Sequence, residues 1–172
     1  KDMTIDIGVA SKKDAEVLVA VGDPATFADE LEPLQGDRVM GRGFDDKVGS
    51  AIVAEVLRRV AKKKKELQCS VYGVSTVQEE IGLRGARTCA YGIDPQVGIC
   101  VEVTFASDHP GTDKKTVGDI RVGKGPTLSR GPNINPTLFD LLRKTAKKQK
   151  IPLQVEAAPR GTGTDANVMQ LN

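Results

Sequence analysis

The sequence has 172 residues, 39% hydrophobic and 28% charged, with a net charge of +2. These values exclude a disordered or membrane-embedded chain and fit one ordinary domain, or a domain with a piece of another. Four Phe, two Tyr and no Trp leave the core to Val, Ile, Leu and Ala, as in buried parallel strands.

In chain order, Ser11 caps a short helix reaching Val21, and residues 25–27 and 38–41 read as short strands. From Asp45 to about Lys64, the residues Val48, Ile52, Val53, Val56, Leu57 and Val60 recur at the helical period. Residues 69–76 (CSVYGVST) form a β-rich run, 82–91 a short helical segment, and 97–105 (VGICVEVTF) a buried strand. Residues 120–128 read as an edge region with glycines. Asn135 caps an amphipathic helix to Lys148, with Pro136 at the first helical position, where its missing N–H costs nothing. Residues 153–157 return to strand, and Thr164 caps a last helical pattern, TDANVMQLN. The chain opens directly on an ordered-looking stretch and stops inside that pattern, so a fragment of a longer protein is expected.

Helix–strand alternation of this kind predicts an α/β fold with a mostly parallel sheet flanked by helices. The composition shifts near Gly41, which divides an irregular, strand-rich piece (1–41) from a regular α/β part (42–172). The lysines of 62–65 and 144–150 sit near helix ends and read as dipole-complementing, solvated charge. Without aromatic stacking partners they do not suggest nucleic-acid binding. Cys69, Cys89 and Cys100 lack CxxC spacing and read as buried free thiols of a reducing compartment. With no apolar run of spanning length and no secretory pattern in KDMTIDIG, no membrane partner is expected and the expected location is the cytoplasm.

Three acidic features fall where α/β folds place active sites, at the carboxyl ends of strands. Asp45 and Asp46 open the long helix, where a capping role competes with a functional one. Glu79 and Glu80 follow the run 69–76 directly. In an extended segment they point in opposite directions, so one can bind a metal while the other addresses a water. Glu102 lies inside an apolar strand, where a carboxylate needs a cation or a metal beside it. Jointly they suit two divalent ions roughly 3.5–4 Å apart. The single histidine, His109, reads as structural or pocket-lining, and the shortage of imidazole counts against a metal site. A glycosidase pair such as Glu79 with Glu102 fits by residue type, without a sugar-stacking platform to support it.

The stretches GRGFDDKVGSAIVAEVLR, STVQEEIGLRGARTCAYGIDP, EVTFASDHPGTDKK, GKGPTLSRGPNINPTLFDLL and EAAPRGTGTDANVMQ, with IDIGVASKKDAEVLVAVGDPATF before them, resemble the M42 metallopeptidases. These are glutamyl or deblocking aminopeptidases, some labelled endoglucanase. The resemblance implies a zinc-peptidase-like catalytic domain carrying two Zn²⁺ or Co²⁺ ions. Asp45 would bridge both metals, Glu80 and Glu102 would each ligate one, and Glu79 would be the general base. The family usually has Asp at the position of Glu102. Its two histidine ligands would lie outside this chain, so these 172 residues alone are expected to be inactive. Gly161, Gly163 and Asp165 would line the substrate pocket, although a simple turn is the competing reading. Residues 1–41 would be the end of a PDZ-like dimerisation domain. Peptides would be the substrates, and the protein would be a homo-oligomer, from a dimer up to a dodecamer.

Overall fold

The computed structural model describes residues 3–28 and 30–171. Helix α1 (Lys12–Leu18) starts where Ser11 Oγ accepts the Asp14 N–H at 3.3 Å, as its cap position requires. It stops at Leu18, three residues short of the expected end, because Val19 is already extended at φ −141°. Residues 25–27 form no strand, whereas the strand expected at 38–41 is present as β2 (Val39–Met40). It pairs antiparallel with β1 (Glu32–Pro33), Glu32 opposite Met40. The Leu34 N–H donates to the Arg38 carbonyl at 2.8 Å across a turn that Gly36 closes at φ +81°. Pro33 hid β1 from a propensity reading, since proline is tolerated only where its strand edge is unpaired.

These elements belong to a first compact unit, Lys1–Arg42; the second is Gly43–Asn172. The second unit holds α2 (Phe44–Lys62), a 3₁₀ turn (Lys64–Glu66), α3 (Arg84–Ile93), α4 (Lys114–Val117), β3 (Thr127–Arg130), α5 (Pro136–Lys148), β4 (Gln154–Ala157) and α6 (Ala166–Met169). Strands β3 and β4 are parallel, with Thr127 opposite Gln154 and Arg130 opposite Ala157. Parallel neighbours need a crossover, and α5 supplies it, packing on β3 through buried Phe139. Asn135 Oδ1 accepts the Leu138 N–H at 3.0 Å and Pro136 occupies the first helical position, as the sequence predicts. Two glycines frame β3. A Cβ on Gly125 would strike the Pro152 carbonyl, and one on Gly131 the Ala158 carbonyl.

The runs 69–76 and 97–105, expected as strands, join no ladder among the described residues. They lie against α2 instead: Gly73 faces the Leu57 side chain, and the Val101 carbonyl faces Gly49. A strand is defined by a backbone ladder, and among the described residues these runs make none; Thr104 reaches β4 only through its hydroxyl, which donates to Glu156 Oε2 at 3.0 Å. Ser107, which follows the second run, is anchored to Ile120 by its N–H (2.7 Å) and by its hydroxyl, which meets both the carbonyl and the N–H of that residue. The buried apolar side chains among the described residues are Ala86, Ala90, Ile120, Phe139, Ala146 and Val168. The aliphatic core expected from composition is therefore thin, and Val97, Ile99 and Phe105 stay exposed. The three cysteines are free. Cys69 is exposed and Cys89 and Cys100 are half-buried, so the expectation of full burial does not hold. No helix among the described residues is long and apolar enough to cross a membrane.

Candidate active site

The turn into α2 separates the two adjacent aspartates. Asp45 (φ −90°, ψ 104°) and Asp46 (φ −124°, ψ 60°) keep non-helical backbone, and the peptide bond between them is cis. True helical geometry begins at Lys47. Asp46 is its cap, with Oδ1 accepting the Gly49 N–H at 2.7 Å. Asp45 is exposed and makes no hydrogen bond among the described residues. The capping reading of the pair thus holds for Asp46 alone.

Gly49 is the hinge of the site. It is buried, and a Cβ there would meet the Asp46 carboxylate and stand 2.7 Å from the Val101 carbonyl. Only glycine lets α2 approach residue 101 this closely, and that approach sets Glu102 near Asp45 and Asp46. The third acidic feature follows residues 69–76. Glu79 is half-buried and Glu80 exposed, so consecutive carboxylates do face different surroundings. The Glu79 carbonyl accepts the N–H groups of Gly82 and Leu83, both at 3.0 Å, closing the turn into α3.

The charges confirm that these acids share one neighbourhood. Burial raises the proton affinity of Glu79, and the carboxylates of Glu80, Asp165, Asp45 and Asp46 raise it further. Burial likewise raises Glu102, opposed by the Val103 N–H, which Glu102 Oε1 accepts at 3.0 Å; Asp46, Glu79 and Asp45 add to the rise. The Cys100 thiol is pushed up to about 11, chiefly by burial, with Glu102 and Asp165 adding and the Ala166 N–H and Thr164 hydroxyl opposing. Six carboxylates therefore influence one another through charge, with no compensating Lys or Arg beside Glu79 or Glu102 among those influences.

An oxygen-rich cluster of uncompensated negative charge is the donor chemistry a hard or borderline dication requires. The cage is not closed: among the described residues no three His, Cys, Asp or Glu side chains stand close enough to hold an ion. His109 contributes nothing to it. The ring is exposed and its nitrogens contact Thr112 and the Pro110 carbonyl within its own turn.

Of the loop expected at the substrate pocket, Gly161 and Gly163 are exposed. Asp165 is instead buried, with Oδ2 accepting the Thr76 hydroxyl at 2.5 Å. It also takes the cap position before α6 that Thr164 was expected to hold, without a side-chain cap bond. Thr76 is the residue at the site that the sequence left unassigned; it carries no local signal, because its partner lies 89 positions away.

The family model of the M42 glutamyl aminopeptidases matches residues 1–172. The lysyl aminopeptidase of Pyrococcus furiosus is 43% identical over 169 residues, which are 98% of this chain and 47% of that protein. The crystal structure of a TET aminopeptidase from a marine-sediment Thaumarchaeota archaeon superposes with a TM-score of 0.85 at 38% identity, covering 97% of this chain and 48% of that one. The TET1 peptidase of Pyrococcus horikoshii, which can assemble into a tetrahedron or a large octahedral shell, follows at a TM-score of 0.69 and 28% identity, covering 94% and 47%. The chain spans about half the length of the relatives it matches.

Proposed function

Because the chain belongs to the M42 glutamyl aminopeptidase family, we propose that it carries the acidic half of an aminopeptidase active site, with Glu79 as the general base. The observation that supports this reading is the position of Glu79. It is half-buried, and four other carboxylates hold its proton affinity up, which suits a group that must take a proton and return it.

In this reading Asp45, Glu80 and Glu102 hold two divalent ions, Zn²⁺ or Co²⁺, with imidazole supplied from the part of the relatives' length that this chain does not span. Bound there, the ions would polarise the scissile carbonyl and lower the pKa of an attacking water. Glu79 receives the proton of that water on a carboxylate oxygen and hands it to the leaving amine. Glu102 is one methylene longer than the aspartate usual in the family, and its oxygens reach further from residues 97–105. Asp46 stays outside the chemistry, fixing the start of α2 so that Asp45 is presented. Gly161 and Gly163 leave bare backbone where a peptide can approach closely. The substrates are peptides with a free N-terminus, the assembly is a homo-oligomer, and the free thiols agree with a cytoplasmic location.

Replacing Glu79 by Gln in the full-length protein tests the assignment. The expected result is a fall in kcat/KM of about 10²–10⁴-fold on aminoacyl-p-nitroanilides, with the content of bound metal unchanged. Activity that survives the substitution would remove Glu79 from its role. No observation favours a glycoside hydrolase, and the family match gives that alternative no support.

A further inference from the structure

The three residues that precede the two glutamates are tied to two helices that pack on each other. Thr76 donates its hydroxyl to Asp165 at the start of α6. The Val77 and Gln78 carbonyls accept the N–H groups of Gly85 and Arg84 at 2.9 and 3.3 Å, at the start of α3, which closes residues 77–85 into a turn. Gly85 is buried, and a Cβ there would collide with the Val77 backbone, so the two backbone segments are in direct contact. Helices α3 and α6 meet with Ala86, Ala90 and Val168 buried. Gln78, inside this turn, holds φ +60°, a left-handed conformation uncommon for a side-chain-bearing residue.

Asp165 is a poor choice for stability alone. It is 8% exposed, it adds negative charge to a site already crowded with it, and its Oδ1 is buried with no hydrogen-bond partner among the described residues. An uncompensated buried carboxylate is costly, and here its one good bond goes to the residue three positions before Glu79.

We propose that Asp165 is a positioning residue, which acts through the Thr76 hydroxyl to hold the strained turn that presents Glu79 and Glu80. The inference rests on the aminopeptidase reading for its effect on catalysis, and not for its effect on local structure.

The test uses the full-length protein and three variants, Thr76→Val, Thr76→Ser and Asp165→Asn. Native-state hydrogen exchange should show the amides of Gly82, Leu83, Arg84 and Gly85 opening faster in Thr76→Val, while those of α5 keep their wild-type rates. On aminoacyl-p-nitroanilides the same variant should lose between about 10- and 100-fold in kcat with KM little changed, since a small misplacement of reacting groups has that effect. Thr76→Ser restores the hydroxyl and should recover most of kcat. Asp165→Asn keeps an acceptor oxygen and should retain the local protection that Thr76→Val loses. Unchanged exchange and unchanged kcat in Thr76→Val would overturn the proposal. So would a loss of that protection in Asp165→Asn, which would make charge and not the acceptor the relevant property. This second outcome decides the matter even if Thr76→Val does not fold. A wild-type protein that releases no N-terminal residue would sink the aminopeptidase reading, while the exchange measurement would still judge the clamp.

Discussion

At Gly49 a single hydrogen atom decides the geometry of the site. A methyl group there would drive into the Asp46 carboxylate, which its bond to the Gly49 N–H holds in place, and into the Val101 carbonyl, which is backbone. Gly49→Ala is expected to destabilise the protein by about 1–3 kcal/mol, the range for overpacking, read as a lower denaturant midpoint with an unchanged slope. The clustered acids give a second expectation. Glu79 and Glu102 hold protons more tightly in the folded chain than their ordinary value of 4.5, so their contribution favours the fold below that pH. It is lost as pH rises through the raised folded values. Metal-free protein should therefore melt at a lower temperature at pH 7 than near pH 4.5 as far as this cluster contributes, and added Zn²⁺ should narrow the difference; scanning calorimetry with and without chelator measures both. The sequence made the acids themselves legible, because Glu79-Glu80 at a run's end and Glu102 in an apolar run stand out against their surroundings. The capping reading of the aspartate pair was legible too, and holds for Asp46; that Asp165 would be spent on Thr76 was not, since the two lie 89 positions apart.

Among the elements, the helices follow the sequence closely. Periodicity located α2, and Asn135 with Pro136 fixed the start of α5 to the residue. Asn135→Ala should cost about 1 kcal/mol, seen as a lower thermal midpoint, because the Leu138 N–H loses its acceptor. On α2, Glu55 accepts from Arg58 at 2.5 Å and from Arg59 at 2.7 Å, which holds its carboxyl at about 2. All three side chains face solvent, so the pair contributes little to stability. Strands fared worse than helices. A helix closes its hydrogen bonds within itself, whereas residues 69–76 and 97–105 can become strands only beside another strand, and apolar content says nothing of whether one is there. Strand β2 was found within residues 38–41, while β1 was hidden, being two residues long with Pro33 as one of them.

For the molecule as a whole, the thin core and the half-length match belong together. Val97, Ile99 and Phe105 are exposed, and the chain spans about half of each relative it matches. The 172 residues alone should bind Zn²⁺ weakly or not at all, since no three ligating side chains converge. Isothermal titration calorimetry that found two tight sites in this chain would contradict that expectation. The α/β class was legible because it depends on alternation along the chain, while the closing of the core depends on what lies across from it.

The two bare α-carbons that frame β3 carry a consequence for how the chain finds its sheet. The parallel ladder has four rungs, and a slip of one residue would turn every side chain of the slipped strand to the other face. Here Gly125 and Gly131 work as the two notches of a key. Any slipped alignment sets a side chain against the carbonyl of Pro152 or Ala158, where there is no space for one. The crossover through α5 can then close in one alignment only.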